Sequence, residues 1–137
     1  MKVTETEIQK RFADVDMLGH VNNVNLQHYY DLGKSDYFCR VLGLGSGVWH
    51  ERGIITASTR TDYLAQTRYS ERVVVHTRVE RVGTKSLTMK QRIVGYAPGA
   101  DQPEIKSEST SVMVAFDFDR QVSIPVPDEW RRAMTGE

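Results

Sequence analysis

The spacing of hydrophobic residues changes from a helical to a strand pattern part-way along the chain. In the first part, apolar, aromatic and small residues recur every three or four positions, which is the spacing of one face of an α-helix. This pattern predicts a single long helix. Its buried face is expected to carry Leu26, Tyr30, Gly33, Tyr37 and Val41.

Residues of the usual start and stop types flank this predicted helix. Asn22 or Asn23 is expected to cap its N-terminus with a side-chain amide. Gly43, Gly45 and Gly47 follow its last turn and predict a helix stop and a loop. No strand leads into these glycines and no Lys-Ser or Lys-Thr follows them, so the pattern does not indicate a phosphate-binding loop.

After the helix, hydrophobic residues alternate with polar ones, as in half-buried strands. Four strands are predicted, joined by a hairpin-sized link at residues 83–85 and a turn at residues 97–104. They are residues 53–64, residues 72–82 with Val73, Val75, Thr77 and Val79 on one face, a strand with Leu87, Met89, Gln91 and Ile93 on one face, and a last strand containing Val112, Val114 and Phe116.

The two ends of the chain complete this arrangement. Residues 3–11 indicate only a weak edge strand, and residues 124–130 form an extended segment that enters a short helix capped by Asp128. One long helix on one face of about five antiparallel strands predicts an α+β fold in a single domain, residues 1–137. The other sheet face and the edges stay uncovered, which favours a homodimer.

Composition excludes some classes of function. Lys plus Arg and Asp plus Glu number 18 each, so the net charge is zero and the basic surplus of a nucleic-acid-binding protein is absent. Cys39 is the single cysteine, so no intramolecular disulfide is expected. Neither an apolar leader at residues 1–12 nor a membrane-spanning apolar run is present. A cytoplasmic protein that does not enter a membrane is the simplest expectation.

Two carboxylates, Asp14 and Asp16, lie just before the predicted helix start. In one interpretation they only stabilise the positive end of the helix dipole. In the other, a carboxylate beside unpaired backbone N–H groups serves acyl transfer. The amides polarise a carbonyl while the carboxylate activates water or attacks directly. Gly19 permits an unusual backbone between Asp16 and the helix start at Asn23. The spacing alone leaves both interpretations open.

The four histidines do not show the pattern of a metal site. His20, His28, His50 and His76 lie in different predicted elements and lack the compact spacing of a zinc motif, so no metal is expected. His20 follows Gly19 directly and suits proton transfer near neutral pH. A positioning or hydrogen-bonding role is favoured for His20 over direct catalysis.

Four segments of the chain form an ordered set of motifs. They are the opening motif at residues 11–30, Arg11-Phe-Ala-Asp-Val-Asp-Met-Leu-Gly-His-Val-Asn-Asn-Val-Asn-Leu-Gln-His-Tyr-Tyr30, then Asp62-Tyr-Leu with Arg68-Tyr-Ser-Glu-Arg-Val, Val82-Gly-Thr-Lys-Ser86, and Ile124-Pro-Val-Pro-Asp-Glu-Trp130. Together they resemble the hotdog-fold thioesterases of the 4-hydroxybenzoyl-CoA thioesterase type, in the family's order and over nearly the whole chain.

The resemblance implies a hotdog fold, in which a sheet wraps one central helix and two copies pair so that their interface holds two active sites. It implies Asp16 as the catalytic carboxylate, either general base or nucleophile. It gives the backbone N–H of Asn23 the role of polarising the thioester carbonyl. Gly19 would permit the turn that aims Asp16, and Gly33 would be small because the sheet packs closely against it.

The resemblance also implies substrate contacts. Tyr30 and Tyr63 are expected to bind substrate, and Lys85 and Ser86 to meet the nucleotide end of coenzyme A from the dimer interface. The acyl pocket is expected to be lined by aromatic residues: Tyr29, Tyr30, Tyr37 and Trp49.

Two departures from the family pattern bear on this expectation. Gly83 and Thr84 stand where some members that act on coenzyme A carry basic residues, which leaves an acyl carrier protein substrate open. The proline that the family places near Gln66 is absent, which predicts a looser turn there.

The function expected from the resemblance is hydrolysis of an acyl-CoA or acyl carrier protein thioester to acid and thiol, without a cofactor, in a homodimer or homotetramer. A hotdog module that binds acyl groups or aids assembly without turnover is the alternative. A hotdog dehydratase or hydratase is disfavoured because no Asp-His pair stands on the segment that such chemistry requires.

Overall fold

A computed structural model describes residues 2–44 and 51–136. Within these residues the chain forms two helices and one antiparallel sheet in the strand order β1-β3-β4-β5-β2, with β6 paired to β5. The elements in chain order are β1 (Val3–Ile8), a 3₁₀ turn (Phe12–Asp14), α1 (Asn23–Leu42), β2 (Arg52–Tyr63), β3 (Arg72–Val82), β4 (Ser86–Tyr96), β5 (Glu104–Asp117), β6 (Val122–Ser123) and α2 (Asp128–Thr135).

The ends of α1 are those that the sequence predicted. The side chain of Asn22 accepts a hydrogen bond from the N–H of Val24 at 2.7 Å, which identifies Asn22 as the N-cap. Gly43 ends the helix in the left-handed conformation, with φ of 71°. The other glycines predicted for this loop, Gly45 and Gly47, lie outside the described residues, and so does Trp49, which was predicted to line the acyl pocket.

Close packing of α1 on the sheet explains Gly33. A Cβ atom at this position would lie 2.8 Å from Cγ1 of Val75 and 3.0 Å from side-chain atoms of Gln91 and Thr77. A larger side chain would push the helix away from the sheet. The predicted packing role of Gly33 is confirmed.

The sheet face beneath α1 is apolar in one half and polar in the other. Helix α1 packs on β1 and β3 and, to a lesser extent, on β4. The predicted alternating faces of β3 and β4 are buried there, from Val73 to Val79 and from Leu87 to Ile93. On β5 the buried positions include three serines, Ser107, Ser109 and Ser111, rather than the Val112, Val114 and Phe116 on which the prediction of this strand rested.

The two sheet edges differ in how they are covered. β1, predicted as a weak edge strand, is short and lies beside α1. β2 is twelve residues long, and from Ile55 onward all its residues are exposed except the half-buried Thr61. A long exposed edge strand offers unpaired backbone groups to another chain. At the C-terminus, Asp128 begins α2 without capping it, because Pro127 holds the N-cap position.

These elements confirm the predicted fold class, an α+β arrangement of one long helix on an antiparallel sheet. No described helix is long and apolar enough to cross a membrane.

Candidate active site

The segment between Asp14 and Asn22 folds into a tight turn at the start of α1. Val15 and Val21 form an antiparallel bridge. Beyond it, the N–H of Asp16 donates to the carbonyl of His20 at 3.0 Å, and the N–H of Gly19 donates to the carbonyl of Asp16 at 3.0 Å. Gly19 has φ of 83°, a conformation that other residues rarely adopt. The turn therefore needs glycine at this position.

Asp14 anchors the base of this turn. The residue is 1% exposed, and its side chain accepts hydrogen bonds from the Tyr29 hydroxyl at 2.7 Å and from Nε of Arg11 at 3.0 Å. Its carbonyl accepts from the N–H of Asn22 at 3.1 Å and from the side chain of Asn25 at 3.2 Å. One buried residue thus ties the turn to the first two turns of α1.

The electrostatics of this anchor follow from its burial and its donors. Burial raises the pKa of Asp14, but hydrogen bonds from Tyr29 and Arg11 and the charge of Arg11 outweigh burial and hold that pKa below its ordinary value. Burial and the bond to Asp14 raise the pKa of Tyr29, so its hydroxyl stays a donor. The Asp14 carboxylate is therefore ionised and fully engaged at neutral pH.

Asp16, at the tip of the turn, has the opposite surroundings. Its carboxylate is exposed, and one oxygen accepts a hydrogen bond from the N–H of Leu18 at 2.9 Å. Within the described part of the chain, no other side chain or backbone donor binds this carboxylate. Asp16 is thus held at one oxygen and open to a ligand at the other.

The start of α1 provides backbone donors beside this turn. Asn22 caps the N–H of Val24, whereas the N–H of Asn23 has no acceptor among the residues that the structure describes. Unpaired N–H groups and the positive end of the helix dipole together make such a helix start favourable for a developing negative charge.

A cleft of about 540 Å³ brings these groups together. One side is formed by Asp16, His20 and the helix start, residues 21–24 with Leu26. The other side is formed by Tyr63 and residues 64–67. We call residues 64–71 the wall loop. Its carbonyl at Thr67 accepts the N–H of Val21 at 2.7 Å, which joins the two sides.

Three of the four residues predicted as catalytic line this cleft with their own atoms, namely Asp16, His20 and Asn23; the fourth, Gly19, shapes the turn. Of the predicted substrate-binding residues, Tyr63 lines the cleft and accepts a hydrogen bond from the side chain of Gln27 at 3.0 Å.

The other predicted substrate-binding residues lie elsewhere in the single chain. Tyr30 is buried under α1, where its hydroxyl donates to Oγ of Ser107 at 2.7 Å. Lys85 and Ser86 lie at the β3–β4 turn. Ser86 pairs with Val114 of β5, which in turn pairs with Ile55 of β2. Ile55 and Tyr63 are eight residues apart on β2, so Ser86 is displaced from Tyr63 by about 26 Å along the strand direction.

The aromatic residues expected in the acyl pocket take other positions in the described chain. Tyr29 binds Asp14, and Tyr37 is buried in a second core cluster with Trp130 and Met134. Helical periodicity predicted Tyr37 to be buried but not Tyr29, and it does not tell core residues from pocket residues.

Two features of the site were not predicted. The spacing around Asp14 and Asp16 does not show which carboxylate is buried; Arg11, three residues before Asp14, is the one local signal that favours Asp14. The family-like segments at residues 62–64 and 68–73 lie on either side of residues 65–67 but do not indicate a contact with the helix start, so the bond from Val21 to Thr67 was not foreseen. Among residues 2–44 and 51–136, no group of three or more His, Cys, Asp or Glu side chains is placed to hold a metal ion.

Comparison with known families gives this site a context. The sequence model of the thioesterase-like superfamily matches residues 11–134 of the chain. The chain therefore belongs to the thioesterase-like superfamily. The uncharacterized protein YsmA of Bacillus subtilis (strain 168) is 29% identical over 83 residues, which are 61% of this chain and 55% of YsmA. The matched region thus spans about half the length of that relative.

Solved structures share the whole fold. A predicted thioesterase from Bacillus stearothermophilus has a TM-score of 0.84 at 26% identity, over 98% of this chain and 96% of its own. A thioesterase from Thermus thermophilus, complexed with coenzyme A and Zn, has a TM-score of 0.79 at 26% identity, over 96% and 91%. A 4-hydroxybenzoyl CoA thioesterase variant complexed with 4-hydroxybenzoyl CoA matches at 0.85, with 18% identity over 98% and 99%.

These matches confirm the resemblance to hotdog thioesterases and the predicted fold. The enzyme class that the sequence predicted, thioester hydrolase, is the class of the family and of these structural neighbours.

Proposed function

We propose that the protein hydrolyses the thioester of an acyl-CoA or acyl carrier protein, with Asp16 as the catalytic carboxylate. The observation that carries this proposal is the shared cleft, in which an exposed carboxylate faces the same space as the start of α1. The Asp16 carboxylate and the unpaired N–H of Asn23 are not needed to hold this part of the fold, because Asp14 already holds the turn and Asn22 already caps the helix.

The two groups have complementary roles. The N–H of Asn23 donates to the thioester oxygen and stabilises the negative charge that develops there as the carbonyl is attacked. Asp16 either takes a proton from the attacking water or attacks the carbonyl itself and forms an anhydride that water then opens. In the first route Asp16 passes the proton taken from water to the sulfur as the C–S bond breaks. In the second route the C–S bond breaks as the anhydride forms, and the departing thiolate takes its proton from solvent. The open oxygen of Asp16 suits both routes.

The other cleft residues position the substrate in this proposal. Gly19 allows the turn that presents Asp16, and the half-buried His20 donates or accepts a hydrogen bond at the cleft rather than acting as the base. Tyr63 is held by Gln27 at the far wall, where it contacts the body of the substrate.

A second copy of the chain would complete the site. β2 is an exposed edge strand, and antiparallel pairing of two β2 strands would bring the β3–β4 turn of one copy toward the cleft of the other. Lys85 and Ser86 of the second copy would then meet the carrier end of the substrate. Because Lys85 and Ser86 lie far from Tyr63 within one chain, they can take this role only in a homodimer or a homotetramer.

Coenzyme A is the favoured carrier because the Thermus thermophilus neighbour is complexed with it. Gly83 and Thr84 beside Lys85 provide no further positive charge for its phosphates. An acyl carrier protein therefore stays the second candidate carrier. Tyr30, buried against Ser107, would act by shaping the floor of the acyl site.

The test is thiol release from short, long and aromatic acyl-CoAs by the parent protein and by Asp16→Asn. Loss of a positioned acid–base group lowers turnover by about 10²–10⁴-fold, and loss of a nucleophile by at least as much. The variant should therefore keep at most about one hundredth of the parent's turnover, while its Tm and oligomeric state stay those of the parent. Asp101→Asn, an exposed aspartate in the β4–β5 turn, is the matched control and should keep full activity.

Equal rates for the parent and Asp16→Asn would show that Asp16 serves only the helix start and that the mechanism is wrong. A parent that releases thiol from neither acyl-CoAs nor acyl carrier protein esters, but binds them, would favour the acyl-binding module.

A further inference from the structure

The wall loop stands between two clefts. Ala65 and Gln66 line the active-site cleft on one side and a second cleft of about 370 Å³ on the other. Residues 65–66, with open space on both sides, have little packing to fix them, whereas Thr67 and Glu71 are buried. The position of the loop therefore depends on its hydrogen bonds and on the residues that support it from the sheet.

One residue of β5 and its ion-pair partner supply this support. The carbonyl of Lys106 accepts the N–H groups of Leu64 at 2.9 Å and Ala65 at 3.1 Å, at the start of the loop. The ammonium group of Lys106 lies 2.7 Å from Oε2 of Glu71, at the end of the loop. The other oxygen of Glu71 accepts the N–H of Arg68 at 2.8 Å. Both ends of the loop are thus tied to Lys106.

The sheet is shaped to admit this ion pair. Ile93 pairs with Ser107 and Val94 with Ile105, so Lys106 is the extra residue of a β-bulge. A regular strand would place Lys106 and Ser107 on opposite faces, yet both are buried.

Gly95 on the neighbouring strand β4 makes the space for this side chain. A Cβ atom at Gly95 would lie 2.7 Å from Cε of Lys106 and 3.1 Å from Oε2 of Glu71. The bulge on β5 and Gly95 on β4 therefore together make room for the Lys106–Glu71 ion pair.

The pair is almost completely removed from solvent, with side-chain exposures of 3% for Lys106 and 7% for Glu71. Burial lowers the pKa of Lys106, but its hydrogen bonds to Glu104 and Glu71 outweigh burial and raise it, so the ammonium stays charged. A buried ion pair is a costly way to stabilise a fold, and replacing it with apolar residues is often neutral or better for stability. Its benefit here lies in fixing one geometry of the loop.

We infer that Lys106 and Glu71 are positioning residues of the thioester site, which hold the wall loop so that residues 64–67 clasp the body of the substrate. The loop reaches the catalytic turn through the bond from the N–H of Val21 to the carbonyl of Thr67. The turn keeps its own anchor at Asp14, so loosening the loop weakens substrate binding more than the chemical step. This inference rests on the proposed function.

The test uses a double variant, Lys106→Met with Glu71→Gln, because Lys106→Met alone would leave the buried Glu71 carboxylate without its ammonium partner and would endanger folding. The amide introduced by Glu71→Gln keeps an acceptor oxygen for the N–H of Arg68. The control is Val79→Ala, which opens a cavity in the core cluster that holds Tyr37 and Trp130, without touching the loop.

We expect the double variant to raise KM about tenfold and to change kcat by less than about threefold, because contacts made equally in ground and transition states are lost. Val79→Ala should lower Tm with KM unchanged. The same KM rise in both variants, or no rise in the double variant, would overturn the inference.

Amide hydrogen exchange tests the loop without activity. In the double variant, the N–H groups of Arg68 and Val21 should exchange faster than in the parent, while that of Val75 in the sheet centre keeps its protection. Unchanged exchange at both positions would overturn the inference. A second combination separates the two proposals. If the double variant exchanges faster but the parent protein hydrolyses no thioester, the pair still supports the loop and the proposed function is rejected instead.

Discussion

Asp14 and Asp16 lie at the base and at the tip of the same turn, two residues apart. The carboxylate at the base is buried and accepts hydrogen bonds from Tyr29 and Arg11, whereas the carboxylate at the tip is exposed and accepts one from Leu18. The same chemical group therefore serves two purposes. The base fixes the turn to α1, and the tip is left open to a ligand.

This difference shows how a small site can be rigid and reactive at once. A carboxylate whose oxygens already accept hydrogen bonds cannot also bind a substrate. A carboxylate on a turn that nothing anchors would have no fixed orientation toward the substrate. Separating the two tasks onto neighbouring residues lets the structure satisfy both. Substitution of Asp14 should therefore mainly lower stability, and substitution of Asp16 should mainly lower activity.

The largest stability effect is expected for Asp14→Asn. The amide cannot accept from Tyr29 and Arg11 as the carboxylate does, and a buried donor is left unpaired. We expect a loss of about 1–3 kcal/mol in the free energy of unfolding, or roughly 3–10 °C in Tm. Urea and thermal unfolding of this variant and of Asp16→Asn measure the contrast, since Asp16→Asn should match the parent. Equal losses at both positions would remove the distinction between base and tip.

An acid titration should show the same anchor through its charge. The pKa of Asp14 is lowered in the folded protein, so its contribution is complete above the unfolded value of about 3.9. That contribution is lost as the pH falls through the lower, folded value. The stability gap between the parent and Asp14→Asn should be constant from about pH 7 to about pH 5 and shrink below about pH 4. A gap that stays constant into strong acid would contradict the lowered pKa.

The smallest effect is expected for Tyr29→Phe, which removes one donor from Asp14 and keeps the ring. Because Arg11 still binds the carboxylate, we expect a loss of about 0.5–1.5 kcal/mol. The double variant, Asp14→Asn with Tyr29→Phe, should lose less free energy of unfolding than the two single variants together, since both changes remove the same hydrogen bond. Full additivity in this double-mutant cycle would mean that the bond contributes little.

Much of the fold could be predicted from local patterns. The three-to-four-residue spacing and the Asn22 and Gly43 signals gave the limits of α1, and two-residue alternation gave the buried faces of β3 and β4. These patterns are reliable because each depends on the backbone geometry of a single element. The polar face of β5 was missed because buried serines look like surface residues in a sequence.

The candidate site could be predicted only in part. The motif at residues 14–23 located the turn, and the structure joins Asp16, His20 and Asn23 in one cleft. The opposite wall comes from residues 64–67, more than forty positions further along the chain, and its place depends on how β2 and β5 pair.

The sequence by itself determined the periodicities, the helix ends and the motif of the turn, since these follow from neighbouring residues. Only the tertiary structure decided which carboxylate is buried, because Tyr29 approaches Asp14 across the turn. It alone showed that Lys106 is the extra residue of a bulge, and that Gly95 leaves room for its pair with Glu71. Pairing register and burial arise from contacts between distant segments, and these do not leave a periodic signal in either segment.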